Sequence, residues 1–478
     1  MDMRKILFLC GLLALMFDAA AQGTYEIPIT SPNSVVRVYG DNQTVIYNHK
    51  AGSVGQFLLV DYGQTTVSVF DLPDANMYVL DFEIMGDTVW FCGEYRGAVL
   101  TGGSAGVVGM FDIPGAFAGV EQVHYIVLPN WIIFNFSNPD EALYVRNLSR
   151  LDVFRDPEMG TVAAMIGDVY LYQSALLQRV AALSAFVFPS SNNWQVVSSF
   201  PKDGRMVLTD IACLDDMIVT VGHGLSNTHC ITKTYHRSNV FPMFPFNVYM
   251  YDSIYCANAD PEGTVLATHV EGNVVGLTQQ DKEPGTLLHV LEFSNTTGHP
   301  MMYTPSRQTF SAGCDIVSCP WKLEELRYSR TNNTLHVLER GVLPGDPTFG
   351  TLLWKFPLVY NGETTAEVQQ MTDLTQTSMD VDVNNHPVMS GSVDASGLLD
   401  MQTFVPGGLF HALDGTTQYG DETGYEYDKC TNNTEVEIEE THLDFHVMGA
   451  DDPCCESSFI GETFLPVVYT VESNIICE

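Results

Sequence analysis

Residues 79–93 read Val79-Leu80-Asp81-Phe82-Glu83-Ile84-Met85-Gly86-Asp87-Thr88-Val89-Trp90-Phe91-Cys92-Gly93, which is an apolar strand, a tight turn and a second strand. Apolar, β-branched and aromatic residues around a Gly-Asp turn are typical of a β-hairpin. Because a unit this short cannot bury its own apolar face, its copies must pack against one another. Looser copies begin near Val35, Thr161, Met206, Val265, Leu326 and Met379.

Each hairpin is followed by a loop that contains glycine and by another apolar strand. After Gly93 the chain continues with the strand Gly106–Ile113, and after Asn48 it continues with Gly52–Leu59. Four short strands per unit, arranged radially, form the blade of a β-propeller. Hairpin turns near residues 41, 86, 167, 215, 272, 332 and 384 therefore predict an all-β protein, a β-propeller of seven blades with six or eight as alternatives. Residues 174–183 are the best candidate for an amphipathic helix, with a loop turn as the alternative.

The best copy of the repeat resembles a known group of proteins. The string Gly86–Gly93 followed by Gly106–Ile113 is similar to the D-x-V-Y-F-C-G and G-x-I-G-x-F-x-I strands of secreted Bacteroidales-type β-propeller-like repeat proteins. The resemblance is strongest over residues 79–113 and looser along the rest of the chain. It implies an exported, propeller-like protein, and the group has no assigned activity.

The first residues predict a signal peptide. Arg4 and Lys5 precede the apolar run Ile6–Phe17, and small residues end at Ala21, so cleavage is expected between Ala21 and Gln22. The apolar run is shorter than the roughly 20 residues that cross a bilayer, so we expect an exported protein without a transmembrane segment. Its location would be the periplasm, the cell surface or the medium. The formal net charge of −37 makes this a strongly acidic protein and argues against a nucleic-acid partner.

The last part of the chain differs in composition from the repeats. Residues 421–456 contain twelve acidic residues and one Lys. We therefore expect three segments: a signal peptide (1–21), the β-propeller (22–420) and an acidic C-terminal extension that contains cysteines (421–478). The extension is expected to be a small β appendage, an extension of the last blade, or an acidic linker. Ten cysteines follow the signal peptide, and in an exported chain the best candidates for disulfides are Cys430, Cys454, Cys455 and Cys477.

Candidate sites for metal ions and catalysis are weak. Asp380, Asp382 and Asn384 begin like a calcium-binding loop, but the Gly and Glu that an EF-hand requires further on are absent. We expect no cofactor, with calcium at these three residues as the alternative. Gly102–Gly106 fits the nucleophile-elbow pattern but lacks the following helix, so no catalytic residue is predicted. Asp81, Asp210 and Asp380 recur near the starts of the hairpins, which favours a repeated structural role.

These observations favour an exported, non-catalytic β-propeller that binds a glycan, a peptide or a protein through its surface loops, or that acts as a scaffold. One alternative is a glycan hydrolase or lyase, because propeller enzymes carry pairs of carboxylates on their inner strands. Paired inner carboxylates with strongly shifted pKa values would favour that alternative. The other alternative is a structural component of the cell envelope.

Overall fold

The protein is almost entirely made of antiparallel β-sheets. A helix occurs in one place among the residues described here, at Ile113–Phe117 (α1), where Asp112 caps its first turn. The computed structural model describes residues 25–27, 34–40, 43–49, 54–61, 66–97, 104–120, 123–128, 142–156, 160–173, 176–189, 193–199, 206–213, 217–224, 229–238, 248–258, 264–271, 274–280, 286–294, 301–302, 308–311, 322–329, 331–342, 349–357, 364–365, 367–372, 374–383, 385, 387–393, 399–403, 410–411, 418–419, 435–436, 438–439, 445–447, 467–472 and 474–475.

The strands follow one another along the chain with few interruptions. The first half contains β1 (Tyr25–Ile27), β2 (Val35–Val38), β3 (Gln43–His49), β4 (Gly55–Asp61), β5 (Thr66–Asp71), β6 (Met77–Met85), β7 (Thr88–Tyr95), β8 (Ala105–Asp112), β9 (His124–Val127), β10 (Ala142–Asp156), β11 (Gly160–Gln173), β12 (Leu176–Pro189), β13 (Asn193–Ser199), β14 (Met206–Cys213), β15 (Met217–Gly224) and β16 (His229–Ser238). The second half contains β17 (Val248–Asn258), β18 (Thr264–Glu271), β19 (Val274–Gln280), β20 (Thr286–Ser294), β21 (Met301–Met302), β22 (Gln308–Ser311), β23 (Lys322–Ser329), β24 (Thr334–Val342), β25 (Phe349–Pro357), β26 (Thr364–Thr365), β27 (Glu367–Thr372), β28 (Leu374–Val381), β29 (Pro387–Val393), β30 (Leu399–Thr403), β31 (Phe410–His411), β32 (Gln418–Tyr419), β33 (Glu435–Val436), β34 (Ile438–Glu439), β35 (Phe445–Val447), β36 (Val467–Glu472) and β37 (Asn474–Ile475).

These strands form seven main sheets, each built largely from strands that are consecutive in the chain. Sheet 1 is β2-β3-β4-β5, sheet 2 is β6-β7-β8-β9-β37, sheet 3 is β10-β11-β12-β13-β36 and sheet 4 is β14-β15-β16-β17-β35. Sheet 5 is β18-β19-β20-β22-β34, sheet 6 is β23-β24-β25-β27 and sheet 7 is β28-β29-β30-β1. The short strand β21 also pairs with the end of β20 in sheet 5, and the remaining described pairs, β26 with β33 and β31 with β32, are short ladders.

The first strands of the seven sheets lie next to one another in chain order. β2 contacts β6, β6 contacts β10, β10 contacts β14, β14 contacts β18, β18 contacts β23, and β23 contacts β28. The succession returns to its start, because β28 also contacts β2. In each sheet, therefore, the first strand contacts the first strands of the neighbouring sheets, and the last strand of the sheet order lies at the opposite edge.

Sheet 1 shows how neighbouring sheets pack. One of its faces forms a core with sheet 2, in which Phe57 lies between Phe82 and Phe111 with ring centres 5.3 and 4.9 Å away. Edge-on aromatic pairs of this kind add to the free energy gained from burial. The other face of sheet 1 contributes Val36, Ile46, Leu58 and Val60 to a second core with Val388 of sheet 7. Both faces of sheet 1 are therefore buried against other sheets.

Two local predictions are wrong. The third hairpin turn was expected near residue 167, but Gly167 lies within β11, and the ladder between β10 and β11 begins with the pair Asp156 and Gly160. Residues 176–183, expected as a helix or a loop turn, belong to strand β12. The sheet overrides the helical spacing there, because β12 pairs along its length with β11 and β13.

The short strands within residues 421–478 pair with sheets formed by earlier parts of the chain. β34, β35, β36 and β37 are the outermost strands of sheets 5, 4, 3 and 2, and β33 pairs with β26, which precedes β27 of sheet 6. Ala21 and Gln22, Asn384, and the four candidate disulfide cysteines Cys430, Cys454, Cys455 and Cys477 lie outside the described residues. In the part of the chain that is described, no helix is long and apolar enough to cross a bilayer.

A disulfide between sheets 1 and 7 tests their contact. The hydroxyl of Ser34 lies 3.0 Å from that of Ser390, although the two residues are 356 positions apart, and both side chains are buried. We expect the Ser34→Cys/Ser390→Cys variant to form a cross-link on oxidation, seen as a linked peptide by mass spectrometry. The link should raise the urea midpoint, because it reduces the conformational entropy of the unfolded chain. Each single variant serves as the control, and two thiols that stay reactive after oxidation would contradict the contact.

Candidate functional site

Ten charged side chains from the seven first strands come together where these strands meet. We call them the first-strand cluster; its members are Arg37, Asp81, Glu83, Arg150, Asp152, Asp210, Glu271, Glu325, Arg327 and Asp380. Every one of the seven main sheets contributes at least one of them. The cluster holds seven carboxyl groups and three guanidinium groups.

A repeated β-bulge places these side chains. In sheets 2 to 7 the pairing of the first strand with the second shifts by one residue, and the residue that follows the bulge is charged in four of them: Asp81, Arg150, Asp210 and Glu325. Because side chains alternate along a strand, the residue two positions later points to the same side, which adds Glu83, Asp152, Arg327 and Asp380. Eight of the ten charged residues therefore occupy two equivalent positions of the repeat. Glu271 lies four residues after the bulge of sheet 5, and Arg37 lies in β2, whose pairing with β3 has no shift of register.

Glycine allows the bulge in three of the sheets. Gly93, Gly167 and Gly222 face the bulges of sheets 2, 3 and 4 from the second strand. A Cβ atom at any of them would overlap a backbone carbonyl oxygen of the first strand, namely that of Tyr78, Asn147 or Val207. The bulge brings the two backbones too close for any side chain, so these positions require glycine.

Arg37 of sheet 1 binds two carboxylates of sheet 2. Its Nη2 donates to Asp81 Oδ1 at 2.7 Å, and its Nε donates to Glu83 Oε1 at the same distance. Its Nη1 donates to the backbone oxygen of Val36 at 2.8 Å. Only 3 % of the side-chain surface of Arg37 and of Asp81 is exposed. Charge-assisted hydrogen bonds of this kind are strong, and both partners are required because either charge alone would be costly to bury.

Arg327 connects four sheets. Its Nη1 donates to Glu271 of sheet 5 at 2.8 Å, its Nε lies 3.4 Å from Asp380 of sheet 7, and its Nη2 lies 4.0 Å from Glu83 of sheet 2. Within sheet 6 the Nη2 atom is 3.3 Å from Glu325. Arg150 of sheet 3 lies between Glu325 and Asp81, at 3.8 and 3.9 Å. Three arginines thus link carboxylates of sheets 2, 5, 6 and 7.

Three aspartates of the cluster also accept hydrogen bonds from the backbone of the next sheet. Asp81 accepts from Leu151 N at 3.0 Å, Asp152 accepts from Cys213 N at 2.6 Å, and Asp380 accepts from Val38 N at 2.7 Å. Ser378 makes the same kind of contact, since its hydroxyl accepts from Val36 N at 3.2 Å. These bonds connect sheet 2 to 3, sheet 3 to 4, and sheet 7 to 1. They satisfy backbone groups that would otherwise be buried without a partner.

Burial raises the pKa values of several carboxyl groups in the cluster. It raises the pKa of Glu83 to about 8 and that of Glu271 to about 7, although Arg37 and Arg327 lower the first and Arg327 lowers the second. Burial raises the pKa of Asp152 to about 6, against the effect of its hydrogen bond from Cys213. The pKa of Asp81 is also raised by burial. The direction follows from the imbalance of seven carboxyl groups against three arginines, because unpaired negative charge is costly to bury.

The candidate residues from the sequence fall partly inside this cluster. Asp81, Asp210 and Asp380 all belong to it. Asp380 is engaged by Arg327 and by Val38 N, whereas the backbone oxygen of Asp382 accepts from Asn385 N at 2.9 Å. Calcium binding at Asp380, Asp382 and Asn384 stays a prediction; among the described residues no group of three or more His, Cys, Asp or Glu is placed to hold a metal ion. Cys92 and Cys213 are free thiols, and burial raises the pKa of both well above the usual range.

Sequence reasoning missed the three arginines. The sequence carries no signal that sets Arg37, Arg150 and Arg327 apart, because a charged residue flanked along a strand by apolar ones is also the pattern of a strand with one side in solvent. Their partners could not be identified, because Arg37 and Glu83 are 46 positions apart and lie in different sheets.

No protein-family model and no curated protein matches this sequence. Among solved structures, a protein from Lactobacillus plantarum is similar over 80 % of this chain and 96 % of its own, with 12 % identity and a TM-score of 0.44. An ulvan lyase of polysaccharide lyase family PL25 matches 80 % of this chain and 94 % of its own, with 8 % identity and a TM-score of 0.36. A prolyl endopeptidase matches 76 % of this chain and 55 % of its own, with 9 % identity and a TM-score of 0.30. Since these similarities are distant, the function has to be argued from the site.

Removing Arg37 tests the energetic importance of the cluster. We expect Arg37→Met to lower the free energy of unfolding by about 3–5 kcal/mol, because Asp81 and Glu83 would lose their closest cation while remaining buried. The matched control is Arg96→Met, which removes a guanidinium that is 49 % exposed and paired with Glu94, and which should cost less than about 1 kcal/mol. Urea denaturation followed by tryptophan fluorescence measures both. Equal losses in the two variants would contradict a structural role for the cluster.

The raised pKa values predict that stability falls as the pH rises. A carboxyl group whose pKa is higher in the folded than in the unfolded chain binds its proton more tightly in the folded state. Its contribution to the free energy of unfolding is complete below the unfolded pKa and is lost as the pH rises through the folded pKa. For Glu271 this interval runs from about 4.3 in the unfolded chain to about 7. The urea midpoint should decrease between pH 5 and pH 8, and Glu271→Gln should reduce the decrease. Asp71→Asn, at an exposed residue of β5, is the control that should retain the wild-type decrease.

Proposed function

We propose that this chain is a seven-bladed β-propeller, exported from the cell, that acts as a non-catalytic binding or scaffold protein. Three observations support the propeller: seven antiparallel sheets follow one another in the chain, their first strands contact one another in order, and the last first strand contacts the first. A radial arrangement of such sheets places their first strands around a common axis. The first-strand cluster would then surround that axis.

The observation that carries the non-catalytic function is the use made of the cluster's charges. The arginines are each bound by carboxylates from other sheets, and Asp81, Asp152 and Asp380 accept backbone hydrogen bonds from the next sheet. Groups committed to holding sheets together are poorly suited to exchange protons with a substrate. Ligand binding is therefore assigned to the loops between strands, as in many propellers, with a glycan, a peptide or a protein as the ligand.

A glycan hydrolase or lyase is the second candidate, and the pKa values favour it. Glu83, Asp152 and Glu271 have pKa values of about 8, 6 and 7, which bracket neutral pH, where a general acid and a general base work best. Glu83 and Glu271 are also partly accessible, with 26 % and 34 % of their side chains exposed. Shifted carboxyl groups on these strands are the feature expected of an enzyme.

A panel of neutral and acidic polysaccharides distinguishes the two candidates. Binding is measured by retardation of the protein in gels that contain the polysaccharide, and turnover is measured by the release of reducing ends or unsaturated products, with and without divalent metal ions. We expect no product from the wild-type protein. Product that appears with the wild type and is lost in both Glu83→Gln and Glu271→Gln would overturn the non-catalytic proposal, since either change removes the ionisation while retaining a hydrogen-bonding side chain.

A further inference from the structure

The outer edges of most sheets are covered by strands from distant parts of the chain. Sheets 2, 3, 4 and 5 end in β37, β36, β35 and β34, and sheet 7 ends in β1 from the start of the chain. All five of these added strands run antiparallel to the strand they cover. Addition of a strand to a sheet edge satisfies the row of backbone groups that an edge would otherwise leave unpaired.

Sheet 1 has no such cover among the described residues. Its outer strand β5, with the sequence Thr66-Val67-Ser68-Val69-Phe70-Asp71, pairs only with β4. Val67 and Val69 are 39 % and 50 % exposed, and all the other residues of the strand except Phe70 are exposed as well. Phe70 fixes the strand from inside, because its ring packs against Phe111 and Phe117.

The backbone of Val67 and Val69 points away from sheet 1. Leu72 N donates to Gly55 O at 2.8 Å, and the register pairs Gln56 with Asp71 and Leu58 with Val69. Since hydrogen-bonded and non-hydrogen-bonded pairs alternate in an antiparallel ladder, residues 66, 68 and 70 bond to β4, whereas residues 67, 69 and 71 direct their N–H and C=O groups outward. The strand contains no Lys, no Pro and no bulge, which are common protections of an edge.

We propose that β5 is a docking edge for an extended, basic segment of a partner protein, which adds antiparallel as the next strand of sheet 1. The charge of the surroundings specifies the partner. The whole chain carries a formal net charge of −37. Asp61 and Asp71 stand at the ends of β4 and β5. A segment with β-branched residues beside Val67 and Val69 and with Lys or Arg at its ends would match both the apolar stripe and the acidic rim.

This inference goes beyond the proposed function, because it concerns one sheet edge and holds whether or not the loops bind a ligand. The same charge argues against a second copy as the occupant, since two chains of −37 repel each other. Self-association through β5 is the competing outcome that the test must distinguish.

The test uses a fluorescent peptide in which Val alternates with Thr and Lys stands at both ends, titrated with the full mature protein and followed by anisotropy. We expect saturable binding that weakens as salt is added, and that weakens at least about tenfold when the terminal Lys residues are replaced by Glu. Alternate N-methylation of the peptide backbone on its bonding edge should abolish binding without any change to the protein.

Two matched variants locate the site on the protein. Val69→Pro removes an outward N–H while leaving the ladder with β4 intact, so it should weaken binding about tenfold and leave the urea midpoint nearly unchanged. Val69→Thr keeps the N–H and the β-branched shape and should bind within about threefold of the wild type. The proposal is overturned if the peptide fails to bind, if N-methylation has no effect, or if Val69→Pro folds and binds normally. It is also overturned if ultracentrifugation shows a dimer that Val69→Pro dissolves and the peptide does not bind.

Discussion

The enclosure of seven buried or partly buried carboxyl groups next to three arginines is the constraint on which the rest of this structure depends. No sheet contains a complete set of partners: Arg37 needs Asp81 and Glu83 from the next sheet, and Arg327 needs Glu271 and Asp380 from its neighbours on either side. A sheet that moved away would leave buried charges without partners, which costs several kcal/mol. The apolar faces between sheets supply most of the burial, but they are not directional. The charged cluster adds direction, because its hydrogen bonds and ion pairs fix most of the first strands against the next one.

This arrangement is encoded locally by a bulge and a glycine. In sheets 2, 3, 4 and 6 the bulge turns a charged residue of the first strand toward the same side, and Gly93, Gly167 and Gly222 permit the close approach of the two backbones. The Cys92-Gly93 pair of the best repeat is thereby explained by packing alone. Cys92 fills buried space and donates to Leu148 O at 3.4 Å, and Gly93 faces the bulge. The repeat preserves the geometry of the bulge, while the residue that follows it varies: it is acidic in sheets 2, 4 and 6, Arg in sheet 3, Ala in sheet 5 and Ser in sheet 7.

Much of the sheet architecture could be predicted from the sequence, because it depends on short-range patterns. Alternation and turn residues located the hairpins near residues 86, 215, 272 and 332. The third hairpin was misplaced because β11 contains the pair Gly167-Asp168, which resembles the Gly86-Asp87 turn. Gly167 instead faces the bulge of β10 within a long ladder. The first-strand cluster was recognised only as recurring aspartates. Its arginines and their partners depend on contacts between sheets, and no local spacing determines which of several buried charges will meet.

Raised carboxyl pKa values do not by themselves distinguish a catalytic site from a structural one. Both kinds of site bury more acid than base, and both therefore hold protons at neutral pH. The difference lies in where the proton can go. A general acid must face a substrate atom at hydrogen-bond distance. In Asp152, by contrast, both carboxyl oxygens accept hydrogen bonds from the backbone, one from Val153 N and the other from Cys213 N. Glu271 and Glu83 share Arg327, so ionisation of either one changes the pairing of the other. That coupling suits a cluster that adjusts its protonation to stay neutral, and it is why the structural role is favoured over the catalytic one.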